Sequence, residues 1–239
     1  GLLGEFWHQV RDEFPIVETQ PPYEMPIETL ADEVQAETAR VELLESLPIP
    51  RLWFRSEDGT QLLQVQSNWF AFNWQSAGGD APYPRYPAVE ERFLRYVRML
   101  VEFLEVNGVG DVGPTQCEVT YINHITLAPG ASFDDVLTLT SATSHEFLPA
   151  PAQHRHVVVY PMTTPTGDRF GRLHIASAPG VRRTDNVPIL GLNLTARGFP
   201  LGHGEDGILG FMRLGREWVV RGFADVTSAR MHEIWGRRA

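Results

Sequence analysis

Leu52-Trp53-Phe54-Arg55-Ser56-Glu57-Asp58-Gly59-Thr60-Gln61-Leu62-Leu63-Gln64-Val65-Gln66-Ser67-Asn68-Trp69-Phe70-Ala71-Phe72-Asn73-Trp74 decides the fold class. Three strand-like runs, Leu52–Ser56, Thr60–Gln66 and Trp69–Trp74, are parted by Asp58-Gly59 and Ser67-Asn68. Both pairs suit tight hairpin turns, because Gly and Asn tolerate a positive φ. Leu62, Phe70, Phe72 and Trp74 give the runs their apolar content. Strands joined by such short turns lie antiparallel, since a parallel pair needs a long crossover.

Outward from this meander, Val89, Phe93, Tyr96, Val97, Leu100 and Leu104 recur at helical spacing, which predicts a helix over 88–107. Pro87 suits its opening, Gly108 its C-terminal cap, and Glu91 and Arg95 an i,i+4 pair on its wet face. Cys117–Ile125 alternates as a strand, and His156–Met162, Gly171–Ala178 and Ile189–Ala196 follow as three more. Helices are expected at about Gly207–Phe223 and in a short stretch, capped by Thr227, that ends at Gly236. At the other end, Leu2–Phe14 reads as a helix closed by Pro15. Thr19–Pro50, rich in proline and acid, reads as a mostly extended arm with room for one helix around Leu30–Glu45. The expected class is α+β: antiparallel β-meanders in two β-rich halves, 50–75 and 115–198, joined by the helix at 88–107 and followed by C-terminal helices. The 239 residues suffice for one continuous core, and a single domain over 1–239 is the expectation.

Composition narrows the function. Net charge is −10, which argues against binding nucleic acid or anionic lipid, both of which call for a basic surface. All 20 basic residues are arginine. Without a lysine there is neither a Schiff base nor a P-loop. Cys117 is the sole cysteine, so an internal disulfide or a cysteine-rich zinc site cannot form. No run is apolar enough for a membrane helix, no signal peptide is visible, and a cytoplasmic location is expected.

Few constellations could carry chemistry. Gly202-His203-Gly204-Glu205-Asp206-Gly207 has the spacing of a dinucleotide loop after a strand and before a helix. The rest of a βαβ unit is missing and the two acids would repel phosphate, so a loop with Asp206 capping the helix is expected and no cofactor. His154 and His156, two apart on a strand, could reach one metal, with His174 as third ligand if the register sets it on that face. The alternative is a pair of solvent-facing histidines. On Cys117–Ile125, Cys117, Val119, Tyr121, Asn123 and Ile125 share one face, which reads as core; Glu118, Thr120, Ile122 and His124 share the other. Glu118 and His124 lie roughly 20 Å apart along the strand, too far for an acid–base dyad. His145-Glu146 and His232-Glu233 lack the second histidine of a zinc-protease helix, and there is no G-x-S-x-G elbow.

Leu62-Leu63-Gln64-Val65-Gln66, Phe72-Asn73-Trp74, Tyr83-Pro84-Arg85-Tyr86 and Glu118-Val119-Thr120-Tyr121-Ile122-Asn123-His124-Ile125 stand in a characteristic order. Trp218-Val219-Val220-Arg221, Phe223, Asp225, Thr227, Met231-His232 and Trp235-Gly236 continue it. Together they resemble a sporadically distributed bacterial family of uncharacterised proteins of similar length, with Tyr-Ile-Asn-His-Ile as its most specific segment. The resemblance implies no reaction or cofactor. Its patchy distribution would suit an accessory gene, and its shared polar motifs mark Tyr83, Arg85, Tyr86, Asn123 and His124 as a ligand- or partner-binding set.

The leading expectation is a binding or accessory protein, not an enzyme, that recognises a partner protein or a small ligand. Its support is the strand aromatics Trp53, Phe54, Trp69, Phe70, Phe72 and Trp74, which anchor interfaces well and fill cores equally well. The alternative is a hydrolase or lyase centred on His124 and Asn123 or on His154, His156 and His174. A third is a homodimer or complex subunit that extends a sheet edge across an interface.

Overall fold

In the computed structural model, the described residues are 1–30, 50–76, 83–110, 113–127, 135–139, 146–147, 155–182 and 185–236. They include helices α1 (Leu2–Val10), α2 (Tyr86–Val106), α3 (Gly204–Val226) and α4 (Ala229–Ile234). The strands are β1 (Ile16–Gln20), β2 (Arg51–Arg55), β3 (Gln61–Gln66), β4 (Trp69–Trp74), β5 (Cys117–Thr126), β6 (His156–Thr163), β7 (Arg169–Arg182) and β8 (Val187–Gly198). The protein is α+β, with two antiparallel four-stranded sheets. The two β-rich halves are these two sheets, one in each of two compact units. Unit 1 takes in residues 1–27 and 33–112, and unit 2 takes in residues 28–32 and 113–239. None of the described helices is long and apolar enough to cross a membrane.

In unit 1 the sheet runs β1-β2-β3-β4. Alternation turns Leu52 and Phe54, Leu63 and Val65, and Phe70 and Phe72 to one face, where they pack with Phe6, Val10, Phe14, Tyr96 and Phe103. The first turn forms as its residues suggest: Gly59 has φ 69°, and Asp58 Oδ1 accepts from Thr60 N at 2.9 Å and from Ser56 Oγ at 2.6 Å. The second turn forms without the positive φ expected of Asn68, whose Oδ1 instead accepts from Gln66 Nε2 at 2.9 Å. Arg95 does not pair with Glu91 one turn earlier; it reaches Glu13 and Tyr96. Strand β1 overlaps the start of the arm at Thr19, a stretch expected to be extended but not to join a sheet. Trp7 Nε1 donates to Phe14 O at 2.8 Å and closes α1, after which Ile16–Gln20 pairs with β2 and Glu18 meets Arg55 at 2.5 Å. The helix considered around Leu30–Glu45 lies outside the described residues apart from Leu30.

In unit 2 the order is β5-β8-β7-β6, a β6–β7–β8 meander with β5 added beside β8. Helix α3 covers one face, setting Ile208, Phe211 and Val219 toward the side that carries Leu173, Ile175, Leu190, Leu192, Leu194 and Ala196. Phe170 and Phe211 meet edge to face at 5.7 Å. Helix α3 starts three residues before the expected position, at Gly204, so Glu205 and Asp206 fill its first turn and His203 is the N-cap. Asp206 thus lies inside the first turn and not at the N-cap, and both acids suit the positive end of the helix dipole. The short α4 is capped by Ser228 and not by Thr227: the Ser228 hydroxyl accepts from Met231 N.

Candidate functional site

The two faces of the second sheet differ sharply. Cys117, Val119, Tyr121, Asn123 and Ile125 of β5 register with Gly198, Ala196, Leu194, Leu192 and Leu190 of β8, on the α3 side. The other side therefore carries Glu118, Thr120, Ile122 and His124 from β5 and Asn193, Thr195 and Arg197 from β8. Beyond them follow Arg172, His174 and Ala176 of β7, then Val157, Val159 and Pro161 of β6.

One end of this open face is charged. Arg197 Nε donates to Glu118 Oε2 at 2.8 Å, and Thr120 Oγ1 donates to Glu118 Oε1 at 2.8 Å. Thr120 and Thr195 meet hydroxyl to hydroxyl at 2.9 Å. Residues 28–30 lie against this end. Glu28, its side chain only 2% exposed, sets Oε2 2.6 Å from His174 Nε2 and Oε1 3.5 Å from Arg172. Its N–H donates to Gln116 Oε1 at 2.7 Å, and Arg169 reaches Leu30 O at 3.4 Å. A buried carboxylate is tolerable only with such partners.

The next row is uncharged and wet. Ile122, Asn193, Ala176 and Val157 lie side by side across the four strands, with Val159 one row nearer the charged end. Ile122 is 66% exposed, Val157 76% and Val159 43%.

The residues marked in sequence are divided between the two units. Tyr83, Arg85 and Tyr86 belong to unit 1. There Tyr83 is exposed with its ring 5.0 Å from Trp74, Arg85 is the N-cap residue of α2, and Tyr86 opens that helix. Asn123 and His124 belong to unit 2 and point to opposite faces of β5. Asn123 Nδ2 donates to Leu192 O at 3.1 Å on the α3 side, while His124 is exposed on the open face opposite Gly191.

His154 lies outside the described residues. His156 pairs with Ser177 and His174 with Val159, three residues further along β6, so the two imidazoles face opposite sides of the sheet and cannot share an ion. Among the described residues, no three His, Cys, Asp or Glu side chains are grouped to hold a metal. Cys117 is buried and its thiol is pushed up to about 12 by that burial, which suits a core residue and not a nucleophile.

The aromatic runs of the first sheet also divide. Phe54 is buried in the core and Phe70 and Phe72 pack against it. Trp53 and Trp69, on the opposite face, flank Arg51 with ring centroids 5.4 and 5.7 Å from its guanidinium carbon, and Tyr23 adds a third ring at 5.5 Å. None of the six is among the exposed large hydrophobic residues, so they do not form an exposed aromatic patch. Exposed apolar side chains occur in both units, Ile16 and Val17 of β1 among them; on the open face of the second sheet they are Ile122 of β5 and Val157 and Val159 of β6. Alternation in β5 put Ile122 on the outer face, but Glu28 and its contacts carried no local signal.

Shallow recesses border the described elements. One, of about 410 Å³, lies between α1 and α2 beside Glu5, Glu102 and Asn107. A smaller one, of about 100 Å³, lies by Thr126, Asp135 and Arg230. Neither is lined by a residue marked in the sequence. No protein-family model matches the chain, and no curated protein or solved structure is significantly similar to it.

Proposed function

We propose that the chain is a cytoplasmic accessory protein that binds a partner protein on the open face of its second sheet. The carrying observation is the row Ile122–Asn193–Ala176–Val157, in which two large aliphatic side chains stay mostly in water on a face whose reverse is filled by a helix. Isolated exposed aliphatics are ordinary; three on one open face, Ile122 at one edge and Val157 and Val159 at the other, fit a docking surface. Fully burying Ile122 or Val157 would contribute about 1.5–3 kcal/mol each, which makes them the anchors of such a contact.

The charged end supports the same reading. Glu28 is matched by Arg172 and His174, and Glu118 by Arg197, so a partner that covers the strip meets few unpaired charges. The fitting partner presents an apolar patch with a polar rim.

The test compares capture by the wild type, by Ile122→Asp and by Tyr83→Ala/Arg85→Ala. All three side chains are exposed, so each protein should keep its circular dichroism and melting temperature. A partner held by the wild type and by the unit 1 variant, but lost by the Ile122 variant, is the expected outcome. Equal capture by all three would overturn the assignment.

A further inference from the structure

We propose that two copies of this chain pair antiparallel through β6, about a two-fold axis at Val158, joining two four-stranded sheets into one of eight. It uses the hydrogen-bonding edge of β6 together with Val157 and Val159, which also border the proposed partner surface; Ile122, on β5, belongs to that surface alone, so its substitution tells the two proposals apart.

Strand β6 ends the sheet: β7 pairs with one side of it, and among the described residues no strand pairs with the other. Natural edges of this kind are blunted by charge, proline or bulges. Here the bulge falls between Met162 and Thr163 and the proline is Pro161, both at one end. The remaining stretch, His156-Val157-Val158-Val159-Tyr160, carries no lysine, arginine or carboxylate. In a chain of net charge −10, this edge lets two copies meet without like charges between them.

The backbone sets the register. Pro161 has no N–H, and opposite Arg172 its nitrogen must face away from β7. By alternation, the main-chain groups of Val157 and Val159 face outward too. With the axis at Val158, Val157 meets the partner's Val159 and the reverse, and the two pairs exchange four hydrogen bonds. His156 meets the partner's Tyr160 on the α3 side, and four valines cluster on the open face. A shift of two residues one way would set Val157 against the donor-less Pro161. The opposite shift would press Arg155 onto Val159. The segment is complementary to itself, which is why a second copy is the occupant and not an unrelated strand.

Light scattering on the untagged protein, well above micromolar concentration, should give twice the chain mass of 26.9 kDa. Val157→Arg should halve that mass without changing the circular dichroism, and Ile122→Asp, on the opposite edge strand, should leave it doubled. Val158→Cys tests the axis, because facing residues of a non-hydrogen-bonded pair lie within disulfide reach and the native Cys117 is buried. Mild oxidation should cross-link this variant into a dimer, and adding Val157→Arg should prevent it. A wild-type monomer at those concentrations, or a dimer in which the introduced thiol fails to cross-link, would overturn the proposal.

Discussion

Glu28 is the residue on which the open face most depends. Its carboxylate is buried between Arg172 and His174, so Glu28→Ala would strip both of their shared partner and release residues 28–30 from the sheet. Removing one member of a buried pair leaves the others desolvated, and we expect a loss of about 2–3 kcal/mol in urea unfolding. An unchanged midpoint would show that the segment contributes nothing. Tyr96 and Cys117 make a prediction in the alkaline range. Burial, joined for Tyr96 by its hydrogen bond to Glu13, pushes each up to about 12 from 10.0 and 9.0. The fold prefers the neutral forms, so their contribution is whole below about pH 9 and is lost as the pH rises toward 12. Urea midpoints should be level up to that pH and then fall, less steeply in Tyr96→Phe than in the wild type. Identical alkaline slopes would contradict this.

Among the elements, the loop into α3 shows a glycine pattern that belongs to packing. A Cβ on Gly207 would lie 2.4 Å from the carbonyl oxygen of Gly202, whereas Gly204, at φ 56°, has nothing within 4 Å. Gly204→Ala should therefore cost about 1 kcal/mol, for its left-handed backbone alone. Gly207→Ala should cost more, about 3 kcal/mol, because backbone must move. Thermal melts of the two variants check the order, and a reversed order would contradict it. The meander β2–β4, helix α2 and the four strands of the second sheet were legible because their periodicities are local. Strand β1 was not: Ile16–Gln20 has only five residues, with Glu18 and Gln20 among them, and is a strand because β2 is there to pair with. The histidine site failed for a related reason. Whether His156 and His174 share a face depends on the register of a hairpin, and a slip of one residue reverses the answer. Alternation within β5 needs no register, and it separated Cys117 and Asn123 from Ile122 and His124 correctly. The contact between Glu28 and His174 spans 146 positions, with nothing in the local sequence to announce it.

Taken whole, the chain is an acidic, lysine-free protein with one four-stranded sheet among the described residues of each unit, and Ile122, Val157 and Val159 stand exposed on the open face of the second sheet. The aromatic runs that first suggested an interface mostly serve the core of unit 1 or flank Arg51, while plainer aliphatic residues of β5 and β6 carry the candidate surface. That surface is the account's central claim. The most direct measurement is amide hydrogen exchange on the wild type with and without its captured partner. We predict slowed exchange in β5 and β6 around Ile122, Val157 and Val159, with unit 1 unchanged. Slowing confined to unit 1, or to α3 on the covered side of the sheet, would contradict the account.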